Sequence, residues 1–179
     1  MTKRELVRAV QKDVKDGKDR RQVFETYKEQ FPKPVHLAAA IAGIAKAEER
    51  KKYQGLNLVL VVLLVLAGLL KAVGVWVVLS ASSMALAGVL SLISLLVPLA
   101  FAFEVNRFTG GMYGLLTILC GMGMVNILAR FQGDFIGTGI DFVLLGAIMA
   151  LSIVLRKKLF PGLKLLSVKT DGSGTYVLG

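Results

Sequence analysis

The chain has almost no residues of the kinds that build metal centres or disulfides. A single cysteine, Cys120, excludes an internal disulfide, and a single histidine, His36, leaves no Cys/His cluster to hold zinc. Acidic residues are scarce, with 12 Asp and Glu against 22 Lys and Arg. No Ser/His pairing, paired aspartates or metal-ligand set stands out in the 179 residues, and Glu104 has no acidic neighbour for acid–base work. The sequence therefore predicts a protein that is not an enzyme and carries no cofactor. A short apolar core within the first thirty residues is also missing, so no secretory leader is expected. Insertion into a membrane would then be directed by the first span.

Long apolar runs are what the chain has in abundance. Residues 56–155 are almost continuously hydrophobic, the whole chain is 55% hydrophobic, and its mean hydropathy is +0.65. Ordinary soluble domains hold about 45–50% apolar residues. A helix needs about 20 apolar residues to cross the hydrocarbon of a bilayer. The runs divide into four such spans, at about 56–79, 84–103, 112–131 and 135–155. Ser80-Ala81-Ser82-Ser83 supplies the first turn, Glu104 to Gly111 a central loop, and Gln132-Gly133-Asp134 the third break. Lys71 offers an alternative end to the first span, with a turn near Gly74. Arg156-Lys157-Lys158 stops the last span, and Pro98 falls where it would kink the second.

Outside the spans the chain reads as a small helical head and a short tail. Residues 1–55 carry 14 Lys and Arg and 8 Asp and Glu. Thr2-x-x-Glu5 fits a capping box, Leu6, Val7, Val10 and Val14 recur at helical spacing, and Gly17 fits a stop. Asp19-x-x-Gln22 opens a second helix bearing Val23, Phe24, Tyr27 and Phe31, which Pro32 and Pro34 end. A third helix is expected over 35–52. Such a head, residues 1–54, is marginal in size for independent stability. After the membrane domain of 55–158, the tail of 159–179 suggests two short strands about Asp171-Gly172 or a frayed end. The expected fold class is all-α: a polytopic membrane protein with four transmembrane helices, a cytoplasmic helical head and a tail with a β-hairpin as one option.

The distribution of Lys and Arg sets the expected orientation. The head, Arg107 and Arg156-Lys157-Lys158 with Lys164 fall on one side of a four-span scheme, so both termini are expected in the cytoplasm, with a bacterial inner membrane as the default setting. Lys12, Lys15, Lys18, Arg20, Arg21, Arg156, Lys157 and Lys158 are the candidate contacts with anionic headgroups. Acidic residues interleaved among the cations of the head argue against a phosphate-tracking nucleic-acid surface.

Three polar residues interrupt the spans. Lys71, Asn126 and Asp141 each lie five to eight residues from the outer end of their helix. At about 1.5 Å of rise per residue they share a depth of roughly 7–12 Å. Charges in lipid face inward and pair, so these residues form a candidate intramembrane polar cluster, functional as a pathway or structural as a helix lock. Small residues at Ser83/Ala87/Ser91, Gly110/Gly114 and Gly133/Gly137 fit close helix packing. The function expected from these features is a membrane anchor or adaptor. Its head would bind a cytoplasmic protein partner or the anionic inner leaflet, and its spans would assemble in the bilayer, with a homo-oligomer as one form. The alternatives are a small oligomeric channel or transporter using Lys71, Asn126 and Asp141, and a membrane-permeabilising effector.

Overall fold

The structure, a computed structural model, describes residues 3–129, 135–165, 167–172 and 174–178. The third break at Gln132-Gly133-Asp134, the Gly133/Gly137 pair and Thr2 of the first capping box lie wholly or partly outside the described residues. Seven α-helices run in order through the described residues: α1 (Lys3–Lys15), α2 (Arg20–Tyr27), α3 (Pro34–Ala42), α4 (Ala47–Leu79), α5 (Met84–Asn106), α6 (Gly110–Ala129) and α7 (Phe135–Leu159). The last four hold 33, 23, 20 and 25 residues. All four include stretches long and apolar enough to cross a membrane. Only 11% to 22% of the most apolar stretch of each is buried inside the protein, so the rest needs an apolar solvent.

Two compact units can be distinguished. One contains 1–54, 108–115 and 153–179; the other contains 55–107 and 116–152. In the first, α1, α2 and α3 bury Leu6, Val10, Val23, Phe31, Leu37 and Ile41. The tail adds to this packing. Leu178 lies against that cluster, Val168 is buried with Ala38 and Ala42, and the Tyr176 ring stands 5.8 Å from that of Phe24. Tyr113 and Phe160 form a second ring contact, at 5.5 Å.

Local sequence signals explain how these helices start and stop. Gly17 follows α1 with φ +87°, a conformation that a Cβ disfavours. The Asp19 side chain accepts from the Gln22 N–H at 3.1 Å and caps α2. Phe31 leaves the helix in extended conformation, and Pro34 opens α3 instead of only closing α2.

The expected third helix over 35–52 does not form as one piece. Gly43 and Ile44 close α3 by donating to Ala39 O at 2.9 Å and Ile41 O at 3.1 Å. Ile44, itself buried, then makes an antiparallel bridge to Thr109. The next helix starts at Ala47 and continues unbroken to Leu79, so Lys71 and Gly74 end nothing. The central loop is also shorter than expected. α5 continues through Asn106 and α6 begins at Gly110, leaving three linking residues with Phe108 at φ +56°. At the other end α7 carries Arg156, Lys157 and Lys158 in its last turn rather than stopping before them, where their charge suits the negative pole of the helix. The tail has no strand among its described residues. It holds two single antiparallel bridges, Leu163 to Val168 and Thr170 to Tyr176, the second about a turn in which Asp171 accepts from the Thr175 N–H at 2.9 Å.

In the second unit one seam explains the rotation of α4. Asn57, Leu60, Leu64 and Gly68 are its buried residues, at the three- and four-residue steps that keep to one helix face. Asn57 Nδ2 donates to Val105 O at 3.1 Å. Gly68 lets α5 come close, since a Cβ there would stand 3.2 Å from Pro98 Cβ and 3.4 Å from Leu95 O. Ser83 caps α5 by accepting from the Leu86 N–H at 3.3 Å, and Ala87 one turn later is fully buried.

Candidate functional site

The seam of α4 points directly at Lys71. Three residues beyond Gly68, it lies on the same helix face. On α7 the corresponding row is Asp141, Leu145, Ile148 and Ser152, of which the last two are fully buried or nearly so. The two rows bring Lys71 Nζ onto Asp141 Oδ2 in a direct ion pair. About half of the Lys71 side chain (50%) and a third of that of Asp141 (31%) stay uncovered by protein, so the pair lies at the edge of the bundle. Beside it opens a cavity of about 820 Å³, lined by Lys71, Gly74, Asn126, Thr138 and Asp141 among others. Asn126 thus shares the cavity with the pair, while its own side chain is exposed. Among the described residues no group of three His, Cys, Asp or Glu side chains comes together, and Cys120 is buried and free.

The cationic residues of the first unit separate into two kinds. Lys12, Lys15, Lys18, Arg21, Lys157 and Lys158 are exposed. Lys18 donates to Asp13 Oδ1 at 2.8 Å, and Tyr27 donates to the other carboxylate oxygen at 3.0 Å. The Lys18 hydrogen bond, chiefly, holds the Asp13 carboxyl below the usual carboxylate range. Arg20 and Arg156 are not free surface charges as the sequence suggests. Arg20 ties the tail to the head, donating from Nη1 to Leu178 O at 2.6 Å and from Nη2 to Ile44 O at 2.7 Å, and burial pushes its pKa down. Arg156 is 9% exposed, with Nε and Nη1 buried and unpartnered. It lies on the same inward row of α7 as Ser152, Leu155 and Leu159, which decides its burial.

Two further features were not legible in the sequence. Asn57 stands as an amide within an apolar run, and that alone marks it; the structure supplies its carbonyl partner. Gly110 and Gly114, which read as a helix-packing pair, instead admit other backbone. A Cβ on Gly110 would stand 2.9 Å from Gly43 O, and one on Gly114 would overlap Leu165 O.

The four long apolar helices place the chain in the class of multi-pass membrane proteins. Comparison with protein-family models, with curated proteins and with solved structures gives no match.

Proposed function

We propose that the chain is a non-enzymatic membrane anchor or adaptor whose basic head faces the cytoplasm and engages the anionic inner leaflet or a protein docked there. The distribution of charge between the two units carries this reading. The unit built from 1–54, 108–115 and 153–179 contains 19 Lys and Arg and 9 Asp and Glu, whereas the other contains three of each. The whole net charge of +10 therefore belongs to one unit, and the membrane part is neutral. Such segregation follows the positive-inside rule and creates attraction to acidic lipid of about 1 kcal/mol per exposed cation near the surface.

The orientation has a direct test. Reporter fusions at Arg107 and after Lys158 are expected to give a cytoplasmic signal, and a fusion at Ser82 the opposite one. A signal from the far side after Lys158 would remove the even number of spans on which the head's placement depends.

Leaflet binding is testable on the full chain in nanodiscs. Amide exchange in α1 and α2 should slow several-fold when a third of the lipid is anionic. The protection should fade between about 0.05 and 0.5 M salt as the screening length falls from over 10 Å to a few ångströms. Equal exchange in neutral and anionic discs would leave only the protein-partner form of this reading.

A channel or transporter is the second reading, favoured by the cavity of about 820 Å³ beside Lys71, Asn126 and Asp141. The direct pairing of the two charges favours the anchor, because each charge is compensated by the other. Solute or ion flux through liposomes containing the full chain, abolished by Asp141→Asn, would reverse that preference.

A further inference from the structure

A cavity of about 470 Å³ in the head is lined by residues from two stretches, 14–20 and 44–50. Five of its residues are cationic: Lys15, Lys18, Arg20, Lys46 and Arg50. Two, Asp19 and Glu48, are acidic. The ion pairs and hydrogen bonds of these groups decide how much of this charge is compensated. Lys18 is paired with Asp13. Asp19 accepts from the N–H of Gln22, which leaves its negative charge, like that of Glu48, in the cavity wall, where the cations still outnumber the acids. Arg20 donates to two main-chain carbonyls, which satisfy its N–H groups without cancelling its charge. Lys15 and Lys46 are exposed and make no ion pair among the described residues.

Arg50 is the residue that asks for a ligand. Its guanidinium carbon stands over the Phe108 ring, 5.6 Å from the ring centre, a cation–π contact. Its Nε is buried and has no hydrogen-bond partner. A buried N–H on a charged group without an acceptor is unfavourable, and such a group in a folded protein calls for an ordered water, an ion or another acceptor. A guanidinium flanked by ammonium groups is an arrangement that suits phosphate, through paired N–H donors and added point charges.

We propose that this cavity binds a phosphate group, with Arg50 as the principal donor and Lys15 and Lys46 as flanking cations. The anionic headgroup of a lipid is the source that best fits its location. Arg50 lies six residues before Leu56 on the unbroken helix α4, so about 9 Å of helix rise separate it from the first apolar residue of the span. The headgroup layer on each side of a bilayer is about 5–7 Å thick, within reach of a long cationic side chain. The cavity, larger than a phosphate ion needs, has room for a headgroup. This lipid assignment rests on the cytoplasmic, leaflet-facing reading of the head.

The test is calorimetric titration of the detergent-solubilised full chain with dihexanoyl phosphatidylglycerol, dihexanoyl phosphatidylcholine and inorganic phosphate. The expected result is one saturable equivalent of the anionic lipid per chain, with phosphatidylcholine at least ten-fold weaker. Arg50→Gln should weaken the anionic lipid by ten-fold or more, and Arg50→Lys by less. Lys46→Gln, at an exposed position, should weaken it by several-fold without touching the packing, which keeps the test valid if Arg50→Gln lowers the melting temperature. Inorganic phosphate that binds as tightly as the lipid, with the same dependence on Arg50 and Lys46, would support the site and make free phosphate its source. Absence of saturable binding to either anion, or affinity unchanged by both Arg50→Gln and Lys46→Gln, would overturn the proposal. Salt-sensitive amide protection in anionic nanodiscs without a one-to-one site would remove this inference and leave the leaflet reading standing. A one-to-one site without such protection would keep the phosphate-binding cavity and remove the leaflet reading together with the lipid assignment that rests on it.

Discussion

Lys71→Met or Asp141→Asn alone should lower the thermal stability of the detergent-solubilised protein markedly, and the double replacement should recover much of the loss. Each single change leaves the other group unpaired in a medium where solvation is poor. Insertion scales place the penalty for a lone charge at the centre of a span at about 2.5–3.5 kcal/mol, less what snorkelling recovers. The half-uncovered Lys71 side chain sets the direction of that correction: Asp141→Asn leaves a long, mobile cation that can stretch toward the headgroups, whereas Lys71→Met leaves a short carboxylate with less reach. The Lys71→Met variant should therefore be the less stable of the two. A double-mutant cycle measures the coupling, and a direct ion pair gives strong non-additivity. Strictly additive losses would mean that the two residues do not pair in the folded protein. Biological activity retained by the double mutant would assign the pair a structural role, and lost flux with intact stability would assign it a transport role.

Gly114→Ala should be as damaging, for a steric reason. A Cβ at residue 114 would overlap the main-chain carbonyl oxygen of Leu165, and a carbonyl cannot rotate away as a flexible side chain can. Overpacking of this kind typically destabilises by about 1–3 kcal/mol and sometimes more, and here relief requires the tail to move as backbone. The tail also supplies Leu178 and Tyr176 to the head and carries the carbonyl that Arg20 holds. Its displacement should appear as new protease cleavage within 161–178 together with faster amide exchange in α2 and α3. Gly111→Ala is the internal control: its Cβ would meet nothing within 4 Å, so little change in stability is expected. Equal behaviour of the two alanine variants would show that α6 and the tail are not in close contact in the membrane.

The Gly114 contact shows where sequence reasoning reaches its limit. Gly110 and Gly114 stand four apart, a spacing that suits a helix–helix seam, and their type correctly indicates close approach. The identity of what approaches, Gly43 at one and Leu165 at the other, depends on contacts far along the chain. The break at 43–46 is similar. Gly43 is a local stop signal, but apolar residues on both sides extend a helical pattern across it, and the bridge from Ile44 to Thr109 joins residues 65 apart in sequence. In the spans, apolar residues cover every face, so hydrophobic periodicity says nothing about rotation. The seam of Asn57, Leu60, Leu64 and Gly68 consequently had no signature beyond one amide and one glycine.

The sequence by itself determined the number and approximate length of the membrane-crossing helices, because each must satisfy its own backbone and match a fixed thickness of hydrocarbon. It also determined the stop at Gly17 and the cap at Asp19, which act within a few residues. The matching depth of Lys71 and Asp141 was legible because helix rise per residue is constant. Tertiary structure alone decided that the two charges meet, that Arg156 is buried while Lys157 and Lys158 are exposed, and that Arg50 is left with an unsatisfied donor over a basic cavity. The physical reason is the range of the forces involved. Caps, turns and hydrocarbon length act along the chain, whereas helix rotation and the burial of one charge among its neighbours depend on packing between segments that the sequence keeps far apart.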